Sequence, residues 1–147
     1  MGRLRIIFLL FVSMWLWHAS AITLDGKRQY SVLIEMPRGG SLTGICLIKT
    51  DESGSKGALV NEFGIHALDF TVSADRRKVR LLHVIDWMNK WYIKRVLRRD
   101  LRFLFLGSEN TQDRWREVTV AGDTTILRNK KYHITYTFTE IKNETDQ

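Results

Sequence analysis

The sequence predicts an α+β protein: a curved antiparallel sheet of about eight strands, a half-barrel, with one long amphipathic helix inserted after the fifth strand. Three observations carry this. Eight short segments rich in β-branched and aromatic residues are separated by Gly, Asp, Asn and Ser turns. Most of those turns are too short for a helical crossover, so consecutive strands pair antiparallel. The period changes only once, over 89–105, where neither Gly nor Pro occurs and apolar residues recur at helical spacing.

The chain opens on an address rather than on the fold. Arg3 and Arg5 precede an almost unbroken apolar run over 6–17, and Ala19-Ser20-Ala21 follows as a small-x-small cleavage signal. The run is shorter than the roughly 17–25 residues that span a bilayer. The expectation is therefore a signal peptide over 1–21, with retention as an anchor the alternative, and a single exported, soluble, periplasmic domain over 22–147, without a linker or repeat.

Strands are expected over 29–36, closed by Pro37-Arg38-Gly39-Gly40, and over 42–50, closed by a turn over 51–55. A third and fourth follow over 57–63 and 67–73, and a fifth over 78–85. Asn89 is the expected helix N-cap, with Asp86 an earlier alternative, and Gly107 the expected stop. Tyr92, Ile93, Val96, Leu97, Leu101, Phe103 and Leu104 share one half of the helix, whereas Trp91 and Phe105 project among its bases. Strands return over 115–120, 124–128 and 132–139; the last places Tyr132, Ile134, Tyr136 and Phe138 on one face.

The 147 residues hold 23 Lys and Arg against 16 Asp and Glu, one Cys and one Pro. A lone Cys excludes a disulfide framework and a Cys-rich zinc site. Cys46 lies in an apolar run and reads as a small buried hydrophobe. Without Arg3 and Arg5, the whole positive excess of the chain equals that of one segment, 90–102, where six bases meet one acid. Lys94, Arg98 and Arg102 follow i, i+4 spacing with Arg95 and Arg99 beside them. A solvated outer face is the ordinary reading of such a run. The indole of Trp91 among the bases points instead to docking on an anionic membrane surface or an acidic protein. Nucleic acid does not suit an exported chain.

Asp100 breaks the apolar half of the helix. A carboxylate there needs an ion pair or hydrogen bonds that tie helix to sheet. A catalytic acid would need a second member, and none is visible. His66 and Asp69, three apart on a strand, point to opposite faces and make a poor metal pair. Neither a nucleophile elbow nor a phosphate loop is complete, so neither an enzyme nor a cofactor is expected. Asn143-Glu144-Thr145 fits a glycosylation acceptor in a polar tail.

Leu42-Thr43-Gly44, the stretch 57–64 (GALVNEFG), Leu68-Asp69-Phe70 and the helical run 92–102 (YIKRVLRRDLR) together resemble the bacterial lipoprotein carrier and receptor superfamily, LolA and LolB, over about half the chain. The resemblance implies an open antiparallel half-barrel lidded by helix, whose concave apolar face takes up acyl chains. The chain departs from the family in having room for only one long helix and no lipid-anchoring Cys after the apolar run. No family residue roles are transferred.

The function expected is non-catalytic binding of an acyl chain, lipid or lipidated segment between sheet and helix. Candidate pocket residues are Leu59, Phe63, Leu68 and Phe70 from the early strands, and Trp115, Tyr132, Ile134, Tyr136 and Phe138 from the late ones. Leu97, Leu101 and Leu104 join them from the helix. Trp91, Lys94, Arg95, Arg98, Arg99 and Arg102 form the docking face. The alternative is a structural or protein-interaction module of the envelope, with the same apolar residues as a filled core.

Overall fold

The computed structural model describes residues 26–106 and 113–142. The signal segment, Gly107 and the Asn143-Glu144-Thr145 acceptor lie outside the described residues. The strands are β1 (Lys27–Glu35), β2 (Ser41–Asp51), β3 (Gly54–Asn61), β4 (His66–Ser73), β5 (Val79–Val84), β6 (Arg116–Ala121), β7 (Thr124–Asn129) and β8 (Ile134–Glu140). The helix α1 spans Trp91–Leu106, after the fifth strand. All pairings are antiparallel, in the order β5-β4-β3-β2-β1-β8-β7-β6, so β1 and β8 join two meanders into one open sheet.

Helix α1 leaves one edge of the sheet and returns to the other. It packs on β5 at one edge and on β6 and β7 at the other. Its 16 residues make about 24 Å. Eight strands about 4.8 Å apart would span some 34 Å if flat. The helix can touch both edges only because the sheet curls around it. The apolar halves of sheet and helix form one buried cluster.

Gly57 shows how that core is filled. It stands opposite Phe70 in the β3–β4 register, and a Cβ on it would lie 2.2 Å from Phe70 Cζ. With no side chain beneath it, the Phe70 ring lies over the strand and meets Phe105 at a centroid distance of 5.5 Å. Phe105 is fully buried, not among the bases: the last turn of α1 is covered by the curled sheet on that side too.

Local departures from the expected boundaries have local causes. Strand β3 starts at Gly54, because Glu52 and Ser53 alone make a two-residue turn between paired Asp51 and Gly54. Asn89 does not cap α1. Asp86–Met88 forms a separate 3₁₀ turn, Asn89 ends it, and the first helical bond runs from Lys94 N–H to the Lys90 carbonyl. Tyr132 lies before β8, not in it, because His133 adopts φ 55°.

Candidate functional site

The carboxylate foreseen as anomalous ties the helix to one edge of the sheet. Asp100 is completely buried. Its Oδ1 accepts from Arg116 Nε at 2.6 Å, and Asn129 Nδ2 donates to both oxygens at 2.9 Å. Tyr136 Oη donates to Oδ2 at 2.8 Å. Arg116 and Asn129 are cross-strand partners on β6 and β7, and Tyr136 comes from β8. One helical side chain thus grips three adjacent strands.

The surrounding groups fit a charged pair. Burial alone would lower the Arg116 pKa, but its bonds to Asp113 and Asp100 outweigh this and raise it. Burial, then the Asp100 charge, pushes the Tyr136 phenol well above its usual value, so it remains a donor. Burial opposes the charge of Asp113 as well, yet the Trp115 N–H and Arg116 hold its carboxyl low. Among the described residues no buried side-chain polar atom lacks a partner. With four hydrogen bonds to its two oxygens, the Asp100 carboxylate anchors the helix to the sheet.

Beside this anchor lies a groove of about 650 Å³ between the first turns of α1 and the β1–β8 pair. Ile34, Met36, Ile93, Val96 and Ile134 give it apolar walls, and Trp91, Tyr92 and Tyr132 add aromatic rings. Among the described residues, Arg95, Arg99, Arg116 and Lys131 supply four cations, and no carboxylate side chain lines it. Asn129 connects anchor and groove, since its Oδ1 accepts the backbone N–H of Lys131 and of Tyr132, each at 3.2 Å.

The expected pocket residues divide. Leu97, Tyr132, Ile134 and Tyr136 line the groove. Leu59, Leu68, Phe70, Leu101, Leu104 and Phe138 are buried in the filled core instead. Phe63 is 78% exposed, because Asn61 Oδ1 accepts the N–H groups of Phe63 and Ile65 and turns the chain outward. Trp115 is half-exposed ahead of β6, under the Arg114 guanidinium at 4.9 Å. Of the docking residues, Trp91, Arg95 and Arg99 border the groove. Lys94 is half-buried, and Arg98 and Arg102 are exposed outside it.

Sequence reasoning missed Met36, Met88, Arg116 and Lys131 at the groove. The placement of β8 beside β1, with Ile34 opposite Tyr136, brings Met36 and Lys131 to the groove, whereas Met88 lies just ahead of α1 in the chain and Arg116 stands on β6, which packs on the helix. Cys46 is buried as expected, and burial pushes its thiol up to about 12.

His66 and Asp69 correct the strand argument: His66 Nδ1 lies 3.3 Å from Asp69 Oδ1. The register pairs Leu59 with Leu68 but Val60 with His66, so Ala67 is an extra residue. This bulge restores both side chains to one face. Among the described residues no group of three His, Cys, Asp or Glu could hold a metal ion, and no helix is long and apolar enough to cross a membrane.

The chain was compared with protein-family models, with curated proteins and with solved structures, and none of the three comparisons gave a match.

Proposed function

We propose that this is an exported, non-catalytic binding protein of the cell envelope that holds an acyl chain, lipid or lipidated segment between helix and sheet, in the manner of the lipoprotein carrier and receptor. The observation that supports this reading is the groove at the N-terminal half of α1. Its volume falls within the roughly 300–1,000 Å³ of small-ligand sites, and its surface combines apolar walls with a few polar groups. Burial of an apolar chain there contributes about 25 cal/mol per Å². The bases and Trp91 beside the mouth suit approach to an anionic membrane surface.

The test is lipid extraction and mass spectrometry of the purified protein, with titration of decanoate and decyl maltoside into wild type and Val96→Trp. Binding of an acyl compound by wild type, and its loss when the indole fills the groove in a variant that still unfolds cooperatively, supports the reading. Failure of both compounds to bind, with no co-purified lipid, refutes it. That result would favour the second reading, a structural or protein-interaction module. Its support is the solid packing of Leu101, Leu104 and Phe105 under the C-terminal half of the helix.

A further inference from the structure

Resting on that reading, the charges at the groove carry it a step further. Two of its four cations are already engaged. Arg116 is held by Asp100 at 2.6 Å and by Asp113 at 2.7 Å, and its side chain is only 8% exposed. Arg99 shares the field of Asp113. Arg95 and Lys131 differ: among the described residues neither has a carboxylate partner. Lys131 Nζ instead lies 5.4 Å from the ring centroid of Tyr132. Both are exposed, one on the helix wall and one on the turn before β8. Apolar side chains from α1, β1 and β8 line the same groove.

We propose that the groove selects an anionic single-chain amphiphile, whose carboxylate or phosphate head is held by Arg95 and Lys131 while its chain lies on Met36, Ile93, Val96 and Ile134. An anion brought to two cations beside low-dielectric walls is held more strongly than in open water. A cationic head meets the same charges with the opposite sign, and a neutral head gains nothing from them. Deeper placement of the head, against Arg116, is disfavoured by the two carboxylates that already hold that guanidinium.

Decanoate, decyl phosphate, decyl maltoside and decyltrimethylammonium, each below its critical micelle concentration, are titrated calorimetrically into the full chain and into Arg95→Gln/Lys131→Gln. Both variant positions are exposed, and thermal melts check that folding is retained. Wild type is expected to bind the two anions at least tenfold tighter than decyl maltoside, and the cation most weakly. The double variant should lose that preference and keep its affinity for decyl maltoside. The ratio of decanoate to decyl phosphate affinity then separates a fatty-acid from a phosphate-bearing ligand.

Equal affinity for anionic and neutral compounds in wild type, or a preference that survives the double substitution, overturns the charge selection while leaving the acyl groove in place. Absence of binding by all four overturns both.

Discussion

Tyr136 donates its hydroxyl proton to Asp100 Oδ2 over 2.8 Å, joining the middle of β8 to the middle of α1 across 36 residues of sequence. The same carboxylate takes Arg116 and Asn129, so its removal leaves three buried donors without their acceptor. Breaking a buried ion pair from one side costs about 3–5 kcal/mol. Asp100→Ala is expected to lose that much in urea unfolding, and Tyr136→Phe about 1.5–3 kcal/mol, the range for a hydrogen bond to a charged group. In an Asp100→Asn background the Tyr136→Phe cost should shrink. An unchanged cost would show that the two groups are not coupled.

Gly57 and Phe70 set the second expectation. A methyl on Gly57 would stand inside the Phe70 ring, which is itself pinned by Phe105. Overpacking of this kind costs about 1–3 kcal/mol. Gly57→Ala should therefore destabilise the fold, and Gly57→Ala/Phe70→Leu should cost less than the sum of the single changes. Strict additivity in chemical denaturation would refute the contact.

The expected sheet and helix were legible because each is a local period, and the anomaly of Asp100 followed from projecting one helix. Its partners were not legible. Arg116, Asn129 and Tyr136 stand 16, 29 and 36 residues away, and they converge only through the strand order. Periodicity also treats Leu97 and Leu101 alike. What distinguishes them is that one borders the groove and the other packs in the solid core. His66 and Asp69 were misread for another local reason, the bulge at Ala67, which no residue type announces.

Cys46 gives stability an alkaline dependence. An unfolded thiol titrates near 8.5, whereas burial pushes the folded one up to about 12. Between these values the native state keeps a proton that the unfolded chain releases, so stability falls as pH rises. The full contribution is present below about pH 8.5 and fades toward about 12, by at most about 1.4 kcal/mol per pH unit. Tyr30 and Tyr136, both raised by burial first, steepen the loss above about pH 10. Urea midpoints between pH 8 and 10 should fall less in Cys46→Val than in wild type. Identical slopes would show that the thiol is not protected.

The exposed half of α1 yields the remaining expectation. Arg98 and Arg102 point away from the core, and Trp91 is 73% exposed beside the groove mouth, so basic and aromatic groups share one side of the helix. Basic side chains near an anionic bilayer contribute about 1 kcal/mol each, and the attraction is screened over about 10 Å at 0.1 M salt. Vesicles of phosphatidylglycerol and phosphatidylcholine should float the protein at 20 mM NaCl and release it at 500 mM, whereas pure phosphatidylcholine vesicles should leave it behind. Arg98→Glu/Arg102→Glu reverses two charges at exposed positions. It should abolish flotation without shifting the melting temperature by more than a degree or two. Flotation that ignores salt, or survives the reversal, would remove the electrostatic account; salt-sensitive binding to an acidic protein but not to vesicles would reassign the face.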